Sequence, residues 1–521
     1  MLKINSVLVA GLFLFSLSDP LSVLAQAVAQ KNVNWQNLDL RADDVFGIST
    51  EKAYNELLKN KKANSVIVAV IDGGVDVRHE DLKTVIWTNP NEIPGNGKDD
   101  DHNGYIDDVH GWNFYSTMQK GDEEFDISVL AKEINAYQLA HKETDSSKMS
   151  KKDLLAYQDY KLLKTSLNQK LQPLINKLKE TESKQRVLEQ ILHKINKTEL
   201  SANDFKQYIP GSAEELGMQM DLVNGLREFP GYVTYKKANL IRAVDYYKMQ
   251  LAFYNNQGYD LITGGPTAYH GTHIAGIIAA DRDNNIGIRG VADHVKIMVI
   301  RAIPGFNPIP EDAAGNEQLV LKGGADDKQS LAIAKSIRYA TDNGAKVINM
   351  SLGESWAMTS QELREAIKYA VAKDVLIVHA SGNKNKYLDD MNVYPDRKTP
   401  DGLAVAASWI EVGASGLKND DKLAGKFSNY GNKTVDVYAP GVEIISTIPR
   451  SAYLNDTGTS MATPVVAGLA ALIRAYYPGL TARQIKEIIM KTVIKAGSLK
   501  DKCISGGVVN AYNALQLAAT Y

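Results

Sequence analysis

Six short apolar runs rich in β-branched residues punctuate this chain of 521 residues. "SVIVAVI" (65–71) leads into "DGG", and five more follow residue 290: "VKIMVIRAI" (295–303), "KVINMSL" (346–352), "VLIVHASG" (375–382), "LAVAASWI" (403–410) and "VDVYAPG" (435–441). The runs are continuous instead of alternating, the pattern of strands buried on both faces. Between several of them, from Ser330 to Asn343 and from Ser360 to Lys373, apolar residues recur at steps of three and four. Strands alternating with helices predict an α/β fold on a doubly wound, mostly parallel sheet.

Residues 119–262 follow another rule. Tyr157, Tyr160, Leu163, Leu167, Leu171, Leu174 and Leu178 mark one face of a long amphipathic helix, with Pro173 as an expected kink. A second helical stretch runs from Tyr235 to Asn255. A coiled-coil dimer is one use of such a stripe, but because the repeat is short and interrupted it favours a helical hairpin within the chain. The expected organisation is thus a leader (1–25), an N-terminal segment (26–64), a first piece of the α/β body (65–118), the helical insertion (119–262) and the rest of the body (263–521).

Composition changes little in this picture. Apolar residues make up 44% and charged ones 23%, the balance of a folded globular chain. Lys and Arg number 59 against 61 Asp and Glu, so no bulk charge invites nucleic acid or an anionic membrane. Lys3, the apolar stretch Val7 to Leu17 and the small residues near Val23–Ala25 read as an export signal. Asp19 and Pro20 end the run short of a membrane span, so no stable anchor is expected, and the protein is placed in a periplasm or outside the cell. Cys503 is the single cysteine, which excludes an internal disulfide. Nothing in the pattern fixes the oligomeric state.

Three segments carry candidate chemistry. Asp72 ends the first buried run, and in a doubly wound sheet the carboxyl ends of strands face the functional crevice; a plain turn residue is the alternative. Ser460, in "GTSMATP", precedes an Ala-, Gly- and Val-rich helix and sits at its N-terminus, where a simple cap is the competing explanation. "HGTHIAGIIAA" sets His270 and His273 three apart. A zinc pair would need further ligands that are not in evidence; His273 suits a packed core, and His270, at the helix entrance, can reach a crevice.

"VAVIDGGVDVRHEDL", "HGTHIAGIIAA", "VINMSLGES" with "VHASGN", and "GTSMATP" follow one another in the order Asp, His, Asn, Ser. This closely resembles the subtilisin-like serine peptidases, the subtilases, over residues 65–110 and 265–515. The resemblance implies Ser460 as nucleophile, His270 as general base and then acid, and Asp72 as the carboxylate that fixes the imidazole. It implies Asn383 as oxyanion donor, and Ser351, Leu352 and Gly353 on one side of the substrate cleft with Ala380, Ser381 and Gly382 on the other. The activity implied is that of an exported endopeptidase acting on peptides or proteins through an acyl-enzyme, with no organic cofactor. A catalytically inactive subtilase fold serving as a scaffold is the alternative. Two departures stand out: the insertion between Asp72 and His270, expected to overhang the cleft or merely to stabilise the fold, and residues 26–60, too few for the family's inhibitory propeptide.

"GNGKDDDHNGYIDDVHGW" (95–112) has the oxygen spacing of a calcium loop in Asp99, Asp101, Asn103, the Tyr105 carbonyl and Asp107 or Asp108, with Gly104 at the turn. His110 replaces the usual closing glutamate. A Ca2+ site through Asp99, Asp101, Asn103 and Asp108 stands against a polar turn held by its own hydrogen bonds.

Overall fold

The computed structural model describes residues 33–115, 149–197, 200–228, 268–303, 327–352, 360–391 and 394–521 except 396, with scattered positions from 130 to 251. The segment read as a leader, Gly353 and much of the second helical stretch lie outside the described residues. The strands are β1 (Val66–Asp72), β2 (Gly111–Asn113), β3 (Val295–Arg301), β4 (Val347–Met350), β5 (Leu376–Ala380), β6 (Trp409–Ser415), β7 (Val437–Pro440), β8 (Ile444–Ile448), β9 (Ala452–Asp456), β10 (Ile494–Lys495) and β11 (Gly507–Val508). Nine of them make one sheet in the order β10-β11-β7-β6-β5-β4-β1-β3-β2, and β8 and β9 form a separate hairpin. All neighbours in the large sheet run parallel except β10 and β11. The fold is the expected doubly wound α/β arrangement.

The longer helices are α1 (Lys151–Ile195), α2 (Ala202–Gln207), α3 (Ala213–Glu228), α4 (Tyr269–Ala279), α5 (Asp327–Asp342), α6 (Gln361–Ala372), α7 (Pro400–Ala406), α8 (Thr459–Tyr476), α9 (Ala482–Lys491) and α10 (Ala511–Ala518). Strand periodicity sorts them into two layers. Val66, Val68 and Val70 of β1 point into the core that holds α4 and α8, whereas Ala69 and Ile71 point into the core that holds α5 and α6. Burying each such valine or isoleucine contributes about 1.5–3 kcal/mol, which is why both faces of the central strand must be apolar.

One run departs from expectation. "LAVAASWI" is a helix in its first half, α7, and enters β6 only at Trp409. Thr399 accepts from Gly402 N and Pro400 occupies the first turn, so a cap and a pre-set φ override the apolar run.

The N-terminal segment is woven into the body. Trp35, Phe46 and Ile48 are buried, Trp35 Nε1 donates to Glu443 O, and Ala511 N donates to Ile48 O.

The insertion keeps cores of its own. Leu167 and Leu171 pack with Ile134, beside Tyr160, Leu163 and Leu174, while Val187, Leu188 and Ile191 pack with Phe205 and Leu222. The middle of the stripe is therefore covered within the chain. α1 is continuous through Pro173.

Candidate active site

The carboxyl ends of β1, β4 and β5 point the same way, and the sheet order reverses direction around β1, with β3 on one side and β4 on the other. A crevice opens where successive connections leave in opposite directions. Asp72 is the last residue of β1, and Ser351 and Ser381 directly follow β4 and β5. His270 and Ser460 are each the second residue of a helix, α4 and α8.

Asp72 is fully buried, and its Oδ1 accepts from Gly73 N at 2.7 Å. His270 Nδ1 lies 3.0 Å from Oδ1 and 2.9 Å from Oδ2. An ionised carboxylate only accepts, so Nδ1 carries the proton and Nε2 is left as the basic nitrogen of the neutral ring. This approach depends on Gly271. A Cβ there would come within 2.1 Å of Gly74 O, so any side chain would push the helix entrance away from the strand end. Further along α4, Gly276 lies against Thr447 and Ser446 of β8, whose hydroxyls donate to Thr272 O and His273 O.

His273 is fully buried and donates from Nε2 to Leu454 O at 3.0 Å. Burial lowers its pKa, with His270 acting in the same direction and Asp456 against it. It is the packed-core histidine, and the question of a histidine metal pair closes, because the two rings serve different partners.

Ser460 Oγ donates to Ser351 O at 3.3 Å, and Ser351 Oγ donates to Ser460 O at 2.9 Å. The segment after β4 is thereby stitched to the entrance of α8. Asn383 accepts through Oδ1 from Thr459 N at 2.9 Å and from Thr459 Oγ1 at 2.8 Å. Those two donors set the amide's orientation and turn Nδ2 the other way, toward Gly458. The Thr459 hydroxyl also accepts from Gly382 N at 3.2 Å.

Asn429, which sequence reasoning missed, holds the whole turn after β5. Its Nδ2 donates to Ser381 O at 2.7 Å, its Oδ1 accepts from Lys384 N and Lys386 N, and its backbone N donates to Gly382 O. Ala380, Ser381 and Leu352 are buried along this rim. Thr459 was legible as part of "GTSMATP", but Asn429 lies in "FSNYG", a stretch without local signal.

The acidic loop is placed apart from this crevice. Asp99 and Asp101 converge with Glu92, a residue outside the spacing motif. Asn103 donates from Nδ2 to Asp101 and Asp108. Asp108 is buried and faces Tyr339, whose hydroxyl donates to it at 2.5 Å. Burial raises the Asp108 pKa, opposed by the bonds from Tyr339, Asn103 and Asn89.

Known proteins share this plan. A model of the subtilase family matches residues 63–512. A thermophilic serine proteinase of Bacillus sp. strain AK1 is 38% identical over 47% of this chain and 52% of its own length. Subtilisin DY of Bacillus licheniformis is 35% identical over 47% of this chain and 77% of its own. Thermitase of Thermoactinomyces vulgaris is 36% identical over 50% and 80%. The matched stretch thus spans about half of the first relative and most of the other two. With the family matched across most of its length, the chain belongs to the subtilase family of serine-type endopeptidases.

Proposed function

We propose that this subtilase is an exported endopeptidase in which Asp72, His270 and Ser460 act as one proton-passing row. The observation that carries the reading is the Asp72 carboxylate gripping Nδ1 of His270, which leaves Nε2 basic at the edge of the crevice. The Ser460 hydroxyl leaves Ser351 O and gives its proton to Nε2 as Oγ attacks the scissile carbonyl. The oxyanion takes hydrogen bonds from Asn383 Nδ2 and Ser460 N. Collapse breaks the C–N bond, His270 passes its proton to the leaving amine, and water repeats the sequence on the acyl-enzyme. Asp72 stays ionised and stabilises the imidazolium.

The substrate is an extended peptide. It pairs with Ser351, Leu352 and Gly353 on one side and Ala380, Ser381 and Gly382 on the other. Residues 65–118 and 263–521 make the catalytic body. The insertion follows the edge strand β2 in sequence and precedes α4, which carries His270, and it restricts access. Residues 1–25 serve as the leader.

The test is Ser460→Ala. Turnover of an unstructured protein should fall about a million-fold, the scale established for a relative, a subtilisin, that loses its serine. Labelling by a fluorophosphonate should vanish with it. Labelling or cleavage surviving in the purified variant would overturn the reading.

A further inference from the structure

We infer that Asn429 is a positioning residue for the oxyanion donor Asn383, acting on the rate through the turn it holds and without touching substrate. The inference rests on the proposed role of Asn383 at the oxyanion. β5 ends at Ala380, so strand pairing no longer fixes the backbone where that amide has to be aimed. A donor displaced by about 1 Å can cost about a hundred-fold in rate, so residues 381–386 need another support.

Asn429 supplies it with its backbone and its side-chain amide together. Its N donates to Gly382 O at 2.9 Å and its Nδ2 to Ser381 O at 2.7 Å, while its Oδ1 accepts from Lys384 N at 3.1 Å and Lys386 N at 2.8 Å. Those bonds bracket Asn383 on both sides in sequence. Gly382, with φ at 100°, bends the chain in the left-handed region that favours glycine, and it is held at both ends, its N–H by Thr459 Oγ1 and its carbonyl by Asn429.

Asn429 is itself anchored to the sheet. It is fully buried, and its carbonyl accepts from Ser428 Oγ at 3.1 Å and Ser381 Oγ at 3.3 Å; Ala414 N of β6 donates in turn to Ser428 Oγ at 3.0 Å. Its neighbours extend the docking, with Asn385 N donating to Phe427 O at 2.7 Å and Tyr430 N to Lys386 O at 3.0 Å. Only a planar amide offers both a donor for Ser381 O and an acceptor for two backbone N–H groups: an aspartate loses the donor and an alanine loses both.

The test is a double-mutant cycle on the full chain, with kcat and KM measured on a peptide substrate and rates counted per Ser460 labelled to completion by a fluorophosphonate. Asn429→Ala should lower kcat about ten- to a hundred-fold with KM nearly constant. The same change made in Asn383→Ala should cost less than about two-fold more, because the donor it positions is already gone. Asn429→Asp, which keeps the acceptor for Lys384 N and Lys386 N, should fall between wild type and Asn429→Ala, and it carries the same cycle should the alanine variant fail to fold. Additive losses from the two sites, an unchanged kcat in both Asn429 variants, or a loss confined to KM would each overturn the inference and leave Asn383 as the oxyanion donor. Asn383→Ala turning over at the wild-type rate would instead overturn the oxyanion reading, and this inference with it.

Discussion

In the proposed mechanism, Thr459 acts through the groups it holds. Its hydroxyl donates to Asn383 Oδ1 and accepts from Gly382 N, so one oxygen fixes both the amide and the turn that carries it. Thr459→Val keeps the shape and removes the oxygen. Removing an oxyanion donor outright lowers the rate about a hundred- to a thousand-fold, a scale set on a subtilisin. Misaiming it should lower kcat by about ten- to a hundred-fold with KM nearly constant, since the lost interaction belongs to the transition state. Steady-state kinetics on a peptide substrate decide it; a rise in KM at unchanged kcat would assign Thr459 to substrate binding instead. Asp72, His270, Asn383 and Ser460, the residues of the proposed mechanism, stand in short motifs, and the contact of His270 with Asp72 is the part of that reading visible in the structure. Asn429 was hidden, because its partners at 381–386 are distant in sequence and no local periodicity marks it.

Among the elements, α4 carries two histidines under opposite constraints. His270 meets a carboxylate, whereas His273, one turn on, is surrounded by apolar residues and the hairpin β8–β9. Because burial depresses the His273 pKa below its ordinary 6.5, the folded state holds the ring neutral while the unfolded chain takes up a proton. Its contribution to stability is whole above 6.5 and is lost as pH falls toward the depressed value, by at most about 1.4 kcal/mol per pH unit for one proton. Melting temperature should fall between pH 7 and pH 5, and His273→Gln should flatten that decline; parallel curves for the two proteins would assign the acid sensitivity to other groups. Element prediction succeeded where burial is symmetrical and failed where it is not. β1, β3, β4, β5 and β7 fall within the predominantly apolar runs. β9 is half-buried at every residue and shows neither a run nor an alternation, and β2 is three residues long. In α7, a threonine cap and a proline outweighed apolar content.

For the whole molecule, the insertion is the largest departure from a compact protease. Among the described residues its buried apolar side chains pack in cores of their own, so removing residues 125–255 should leave the nine-stranded sheet intact. The deleted form should cleave folded or bulky proteins that the full chain spares, at similar rates on short peptides. A substrate library giving the same profile for both forms would reduce the insertion to a stabilising appendage. Its presence was legible from a change of period, but that its described buried residues keep to cores of their own was not, since an amphipathic stripe does not name its partner.

The beginning and the far end of the sequence meet. Asn510 donates to Ser49 across 461 residues, beside the bond from Ala511 N to Ile48 O. A ribosome has to deliver nearly everything before that seam can close, and contacts of such span form late and slowly. Chains cut short in synthesis would thus lack a finished scaffold beneath their scissors.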